Sequence, residues 1–571
     1  MFHEVKGWRL KLFLSLFFIA ALIIIGRLFY IQVLNHKFYR AQDLGQQTGF
    51  QEVRGIRGEV FFGNSKENHG SYGSGDSKSL AINKDRWLIS IVPKKITDKN
   101  NFAEVLSKII GESKESILSK LVKSDSYMIL KKDLSDQEIN SIKNLKLQDL
   151  SLENLPGRYY PQEGMASQTI GFLGGDTNGQ YGIEGYYDDI LKGKKGIEEK
   201  KKGLNLITSE KSTDLNGSDL YLTVDYNIQF QAESLLKEAQ KNIDIDSGQI
   251  IVLKPDSGRI LALANFPSFN INKYSKETNL DIFQDSAIQK LFEPGSVFKP
   301  FTMAVALNEG KVTPDTTFID TGLVKIGPDT IHNFNREVYG KRDMSGILEK
   351  SINTGAVFLS SVIPHQTFLD YLDKFGFNNK TGVDLQGEVY SKNEILKNGS
   401  AFGFATASFG QGVEMTPIQL ARAFCVFANG GKMPKLYIVE KIVHGQDEEK
   451  KQPEVSDQLI SPKTASQVTT MLINVVDRGF GDGAKIPGYY LAGKTGTAQV
   501  PFENKKGYYP DKTIQSFIGF GPALKPQFLI LVKLDNPKVP KSALSAVPIF
   551  KKLYLYIINY WQIPPDYDVA R

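Results

Sequence analysis

Leu12 to Gly26 is a run of fifteen residues without a charge, preceded by Lys6, Arg9 and Lys11, and no other stretch limits the architecture of the chain so strongly. Such a run is a signal peptide, a buried helix or a membrane anchor. The apolar core of a signal peptide ends at a small-x-small cleavage site, whereas Arg27 is followed here by Leu28, Phe29, Tyr30, Ile31, Gln32 and Val33. No soluble-domain pattern surrounds the run, which argues against a buried helix. Counted on to Leu34 it holds 23 residues, about 34 Å of helix at 1.5 Å per residue. That spans a bilayer if Arg27 snorkels to the interface. The three basic residues before it predict a cytoplasmic N-terminus, a bias weakened by Arg27, His36, Lys37 and Arg40 on the far side. The rest of the chain is then expected on the outer side of the membrane.

That outer part exceeds one hydrophobic core, since 571 residues at roughly 150 per domain make three or four units. A hydrophobic content of 41% with 23% charged residues reads as globular. The formal charge of +6 is small against 69 basic and 63 acidic side chains, and no basic stripe carries interleaved aromatics. Nucleic acid is therefore not expected as a partner. A single cysteine, Cys425, excludes an internal disulfide framework and is expected to fill a core gap. His3, His36, His69, His332, His365 and His444 lack ligand spacing, so neither a metal nor another cofactor is predicted.

Residues 35 to about 90 read as short strands broken by a polar Gly/Ser-rich loop, Asn64 to Lys78. From Asp98 to Leu155 helical periodicity dominates: Phe102, Val105, Leu106, Ile109 and Ile110 make one apolar face, and Ser135 with Glu138 forms a capping box. A glycine-punctuated region follows, ending in the Lys-rich Lys194 to Lys202, which reads as solvated surface. Near Asp219 the style changes. Leu220 to Val224 reads as a strand and Tyr226 to Lys241 as a helix, and Gln249 to Leu253 with Arg259 to Ala264 forms a hairpin. Ser516 to Phe520 and Gln527 to Leu534 make a second hairpin near the C-terminus. Strands at both ends with helices between predict an antiparallel sheet covered by helices. Asp447 to Asp457, charged and containing proline, is expected as an exposed loop.

Three polar clusters lie in the intervening helical and strand segments. In EPGSVFKP, residues 293 to 300, Ser296 and Lys299 open an apolar-periodic segment that Asn308 to Gly310 ends. A helix starting near Ser296 puts both residues on one face and Pro300 in the first turn, with backbone donors favouring developing negative charge. Nucleophile, base and part of an electrostatic cradle are thus available from one segment. Ser351-Ile352-Asn353 follows among helix formers, where serine and asparagine are also ordinary caps. Lys494-Thr495-Gly496-Thr497 reads as a strand whose small side chains let an extended peptide add along its edge. No G-x-x-x-x-G-K-[ST] frame surrounds it, so it is not a phosphate loop.

In this order S-x-x-K, S-x-N and K-T-G are related to the motif triplet of penicillin-binding proteins and class A β-lactamases. RGEV at 57 to 60, RYYP at 158 to 161, YGIEGYYDDIL, LTVDYNIQ and SFGQGVEMTPIQLARAF at 408 to 424 narrow the likeness, which covers nearly the whole chain. The chain resembles a class B penicillin-binding protein, a monofunctional transpeptidase of bacterial cell-wall synthesis, with the division type favoured over the elongation type. Two places depart from that pattern: Phe62 and Gly63 stand where an aspartate-arginine pair is usual, and Gln168 where histidine is frequent. Both are expected to bear on partner contacts.

The resemblance implies an α+β architecture: a cytoplasmic tail at 1–11, a transmembrane helix at 12–34, a mixed α/β non-catalytic pedestal at 35–215, a penicillin-binding, serine-β-lactamase-like domain at 216–560 and a tail at 561–571. It implies that Ser296 attacks a D-Ala-D-Ala stem peptide, releases D-alanine and holds an ester that a neighbouring stem's amine opens. Lys299 becomes the base if the positive charge of Lys494 lowers its pKa. Ser351 relays a proton, Asn353 orients Lys299 and substrate, and Lys494 with Thr495 attracts the donor carboxylate. Gly496 keeps the strand open to substrate, and the backbone N–H groups of Ser296 and Thr497 form the oxyanion hole. β-Lactams are the expected inhibitors, and a separate membrane glycosyltransferase with other divisome or elongasome membrane proteins the expected partners. A carboxypeptidase or β-lactamase, or a β-lactam-binding receptor or scaffold without turnover, would share the motifs.

Overall fold

The computed structural model describes residues 50–63, 78–199 and 215–568, apart from 124–125, 133, 146–148 and 503–506, and ten positions between 17 and 29. The expected loop at 64–77, the end of the Lys-rich run at 200–202 and most of segment 12–34 lie outside the described residues. Those ten positions are helical, and Phe17, Phe18, Ile19, Leu22, Ile24, Ile25, Leu28 and Phe29 are all exposed. Among the described residues no helix is long and apolar enough to cross a membrane.

Two compact units are formed. The smaller takes in Met1–Gly58, Ile190–Ser218 and His444–Asp447. In it Phe50–Arg54 pairs antiparallel with Lys195–Glu199, so the first part of the Lys-rich run is a strand, and Asn216 Oδ1 accepts from the Ile56 N–H at 2.9 Å.

The larger unit contains Glu59–Asp189, Asp219–Val443 and Glu448–Arg571. In its first part Ser79–Ile91 pairs with Leu150–Tyr159 along ten residues, and helices Lys99–Ile110, Lys114–Lys123 and Asp136–Leu145 close a core of Ile89, Leu106, Ile117, Leu121, Ile139 and Ile142. The capping box is present: Ser135 N–H donates to Glu138 at 2.8 Å and Glu138 N–H to Ser135 Oγ at 3.3 Å. The helical reading of 98 to 155 fails at Met128–Lys131 and Leu150–Tyr159, which are strands. Pro156 and Gly157 prevent a helix in the second, and a Cβ at Gly157 would lie 2.2 Å from the Arg86 side chain packed across it. The expected loop at 447 to 457 is instead two strands, Asp447–Lys450 and Val455–Gln458, whose charged residues stay at the surface because each strand lies at a sheet edge.

From Asp219 onward the elements that build the candidate site are helix α1 (Tyr226–Ile243), strands β1 (Ser247–Leu253) and β2 (Ile260–Phe266), helix α2 (Lys299–Asn308), short strands β3 (Thr317–Asp320), β4 (Leu323–Ile326), β5 (Asp329–His332) and β6 (Gly340–Asp343), helices α3 (Met344–Glu349), α4 (Asn353–Val362), α5 (Pro417–Ala428) and α6 (Pro462–Arg478), strands β7 (Ala492–Pro501), β8 (Tyr508–Gly521) and β9 (Phe528–Asp535), and helix α7 (Ala546–Tyr560). The main sheet is antiparallel in the order β2-β1-β9-β8-β7. Both predicted hairpins are its outer and inner pairs. Ile250, Val252, Ile530 and Val532 pack with Leu235, Phe550 and Tyr554 of α1 and α7, while the alternate residues Ile251, Leu253, Leu529 and Leu531 are buried on the opposite face. Helices therefore cover both faces, which is why these strands read as continuous apolar runs. Cys425 lies fully buried in α5, its thiol within 3.4 Å of the Ala421 carbonyl. Burial pushes that thiol's pKa up.

Phe62 and Gly63 pack against the elements around Leu222 and Tyr226. Phe62 is 1% exposed and meets Tyr226 edge-on at 5.2 Å, and a Cβ at Gly63 would lie 2.6 Å from the Leu222 carbonyl. Gln168 is buried too, its amide donating to the Pro267 and Ile282 carbonyls at 2.9 and 3.0 Å.

Candidate active site

The chain enters α2 through a 3₁₀ turn, Gly295–Phe298, so the α-helix proper starts at Lys299 and not at Ser296. Gly295 at φ +60° and Pro294 set that turn, and the Lys299 N–H closes it on the Ser296 carbonyl. Pro300 lies in the first turn as expected. Ser296 remains partly exposed while Val297, Phe298 and Lys299 are buried.

A second segment braces the turn from behind. Gly410, at φ +84°, packs so closely that a Cβ there would lie 2.1 Å from the Gly295 carbonyl, which only glycine permits. Gly295 N–H donates to the Gly410 carbonyl at 2.9 Å, and Thr302 Oγ1 to the Ser408 carbonyl at 2.8 Å. The carboxylate of Glu293 accepts from Tyr508 Oη at 3.1 Å, and burial raises its pKa against the hydrogen bonds from Gly412 and Tyr508.

Ser351 occupies the link between α3 and α4 in the left-handed region at φ +51°, and Asn353 is the first residue of α4. That backbone aims two oxygens of one residue at Lys299: its Nζ donates to the Ser351 carbonyl at 2.5 Å and to Oγ at 3.2 Å, and also to Asn353 Oδ1 at 2.8 Å. Asn353 Nδ2 donates on to the His332 carbonyl at 3.0 Å, which fixes which way its amide faces.

Lys494, Thr495, Gly496 and Thr497 lie on β7, the edge of the main sheet, with Lys494 opposite Ile518 and Thr497 opposite Gln515. Lys494 Nζ donates to Ser351 Oγ at 3.0 Å and to the Thr495 carbonyl at 3.0 Å. Gly496 lets the strand press on the nucleophile's turn: a Cβ there would meet Val297 Cγ1 at 2.8 Å and the Pro294 carbonyl at 3.2 Å. Thr497 Oγ1 reaches Ser542 Oγ at 3.5 Å, and Ser545 holds Gln515 at 2.5 Å, so the stretch after β9 supports β7 through its neighbour.

Lys299 and Lys494 are both fully buried. Burial is the larger cause that holds Lys299 well below its ordinary pKa, with the charge of Lys494 second, so repulsion alone is not the origin. Burial pushes Lys494 down to about 7. A partly exposed serine beside a lysine that can be neutral, a shared hydroxyl and an edge strand make an arrangement suited to acyl transfer. Among the described residues no group of three or more His, Cys, Asp or Glu is placed to hold a metal ion. Sequence patterning missed Glu293, His332, Gly410, Tyr508 and Ser542 as contributors. Only Glu293 and Gly410, inside quoted stretches, carried any signal.

Residues 248–555 match the model of the penicillin binding protein transpeptidase domain, and residues 74–222 that of the penicillin-binding protein dimerisation domain. Stage V sporulation protein D of Bacillus subtilis is 31% identical over 471 residues, covering 80% of this chain and 73% of that protein. The probable peptidoglycan D,D-transpeptidase PbpC of Pseudomonas aeruginosa is 29% identical over 99% of this chain and 97% of its own. The peptidoglycan D,D-transpeptidase FtsI of Buchnera aphidicola subsp. Schizaphis graminum is 29% identical over 98% and 96%. The crystal structure of penicillin binding protein 3 from Mycobacterium tuberculosis, complexed with aztreonam, shares the fold at a TM-score of 0.68 with 23% identity, covering 90% of this chain and 98% of that one.

Proposed function

The chain belongs to the penicillin-binding protein transpeptidase family, and on that premise we propose that Ser296 is the nucleophile through which it cross-links peptidoglycan stem peptides. It is a serine-type D,D-transpeptidase of cell-wall synthesis, of the division type that its likeness to relatives named FtsI supports. The observation that carries the site is the burial of Lys299 and Lys494 around the hydroxyl of Ser351, beside the turn that holds Ser296.

The neutral amine of Lys299 takes the proton of Ser296 as Oγ bonds to the penultimate D-alanine carbonyl. The C–N bond to the terminal D-alanine breaks, and the leaving nitrogen receives a proton through Ser351. An ester remains on Ser296. An amine of a neighbouring stem then bonds to that carbonyl and gives up a proton along the same path, and the ester C–O bond breaks to restore the serine. Developing negative charge on the carbonyl oxygen is met by the N–H groups of Ser296 and Thr497, where one lost donor typically raises the barrier by about 3–4 kcal/mol. The packing of the 3₁₀ turn against Gly496 and Ala498 supports that pairing. Asn353 holds Lys299, and Lys494 with Thr495 presents positive charge and a hydroxyl to the donor's terminal carboxylate. The donor lies along β7 as an added strand. β-Lactams acylate the same serine.

The segment 12–34 anchors the chain in the cytoplasmic membrane with its N-terminus inside, a reading supported by the exposed apolar side chains of Phe17 to Phe29. Residues 35–215 form the pedestal and 216–560 the transpeptidase domain. Glycan strands come from a separate membrane glycosyltransferase, and further membrane proteins of the division machinery bind alongside. A labelled penicillin is expected to attach covalently to the wild type and not to Ser296→Ala, and equal labelling of both would overturn the site. Donor and acceptor peptides then separate cross-linking from hydrolysis, since a free donor shortened by one D-alanine in place of a cross-linked product marks a carboxypeptidase.

A further inference from the structure

The 35 residues between α2 and α3 join the two helices that bring Lys299 and Ser351 to the site, and they fold as two small hairpins, β3 with β6 and β4 with β5. One carboxylate lies where all of this meets α4. Asp320, at the end of β3, is 2% exposed and accepts four partners: Gly322 N–H at 2.9 Å, Asn333 Nδ2 at 2.9 and 3.0 Å, Tyr339 N–H at 2.7 Å and Thr354 Oγ1 at 2.6 Å. Three of them are N–H groups that can only donate and the fourth is a hydroxyl that donates here, so the set suits an ionised carboxylate. The consecutive residues His332 and Asn333 in turn grip two consecutive residues of α4. The His332 carbonyl accepts from Asn353 Nδ2 at 3.0 Å, and Asn333 Oδ1 from Thr354 N–H at 3.1 Å.

We infer that Asp320 is a positioning residue for acyl transfer, holding the first turn of α4 so that Asn353 and Ser351 stay on Lys299. The inference rests on the reading of Asn353 and Lys299 given above. α4 has no side-chain cap of its own, since Ile352 precedes it; Asn333 Oδ1, accepting from the Thr354 N–H, replaces that cap from outside, and Asp320 holds the Thr354 hydroxyl beside it. Hydrogen bonds from Thr354, Gly322, Tyr339 and Asn333 outweigh burial, which opposes them, and keep the Asp320 carboxyl below its ordinary pKa. It therefore stays ionised throughout the neutral range. Asparagine of the same size would turn an N–H₂ group toward donors, and a buried clash of donors loosens such a network. Water then enters beside Lys299, and its amine recovers part of its ordinary proton affinity, still opposed by Lys494.

The test follows acylation by a fluorescent penicillin from pH 5 to 10 for the full chain and for Asp320→Asn, Thr354→Val, Asn353→Ala and the pair Asp320→Asn with Asn353→Ala, with thermal melting to verify folding. Asp320→Asn is expected to acylate at least tenfold more slowly at pH 7 and to shift the rise of the profile to higher pH. Thr354→Val moves both in the same direction by less, and stands in for Asp320→Asn should that variant not fold. The double variant loses no more than Asn353→Ala alone, because both act on one path. A wild-type profile for Asp320→Asn, a slower rate without a shift, or additive losses overturns the assignment. If Asn353→Ala itself acylates like the wild type, the underlying reading of Asn353 fails instead.

Discussion

Lys299 and Lys494 reach the same hydroxyl: their Nζ atoms lie 3.2 and 3.0 Å from Ser351 Oγ. A hydroxyl has one proton and donates to one neighbour, so at least one of the two lysines donates to it. Two ammonium groups this close repel in a buried site, and the stable state has one lysine charged and the other neutral. The pair then titrates as a unit.

Lys494→Met removes the nearby positive charge that disfavours protonation of Lys299. The Lys299 pKa rises, although burial continues to hold it below the ordinary value. Acylation rates measured against pH are expected to show the rise displaced to higher pH, with a loss of about tenfold or more at pH 7. An unchanged profile would count against Lys299 as base.

The same substitution is expected to stabilise the fold. Lys494 is held at about 7 in the folded protein, against about 10.4 in an unfolded chain. Between those values the unfolded chain binds more protons, so wild-type stability rises with pH and the burial penalty is complete below about 7. Lys494→Met should therefore melt higher at pH 6, by roughly 1–3 kcal/mol after lost hydrogen bonds are counted, and the gain should fade toward pH 10. Melting curves at the two pH values check the sign.

Gly496→Ala places a methyl 2.4 Å from Ser516 Oγ and 2.8 Å from Val297 Cγ1; the hydroxyl can swing aside, but the strand must back away from the turn that bears Ser296. Displacement of reacting groups by about 1 Å costs on the order of a hundredfold in rate, so acylation falls by about that factor while melting changes little. Penicillin labelling kinetics decide it.

Phe62→Ala is expected to destabilise the fold by about 3–5 kcal/mol, since the ring is buried against Tyr226. Acylation per folded molecule should stay at the wild-type rate. An unchanged melting temperature would remove Phe62 from the packing of the fold.

A chain lacking residues 1–34 is expected in the soluble fraction with its penicillin labelling intact, while the full chain sediments with membranes. Sedimentation of the shortened chain would remove the anchor from that segment.

Much of the frame was legible because periodicity reports burial. The hairpins at 249–264 and 516–534, the helix after Asp225 and the capping box at Ser135 all follow from local patterns. The strand at 150–159 was hidden because its apolar residues continue the spacing of the helices before it, until Pro156 and Gly157 interrupt. At the site, Ser296, Lys299, Ser351, Asn353 and Lys494 were visible as motifs. The groups that hold them in place were not: Asp320, His332 and Tyr508 act through contacts between distant segments, and a lone aspartate or a backbone carbonyl leaves no local signature. Of the two causes that lower the Lys299 pKa, the larger, burial, was not legible and the smaller, the charge of Lys494, was, since charge is written in the sequence and burial is not.

The left-handed backbone at Ser351 has an evolutionary side. Strain at such a residue is of order 1–2 kcal/mol, and glycine would relieve it while leaving the carbonyl in place for Lys299. The replacement that most eases the chain here would delete the one hydroxyl that both lysines use. Drift toward a more stable protein and retention of turnover therefore pull in opposite directions at a single position, and a library selected for heat resistance alone should accumulate Ser351→Gly.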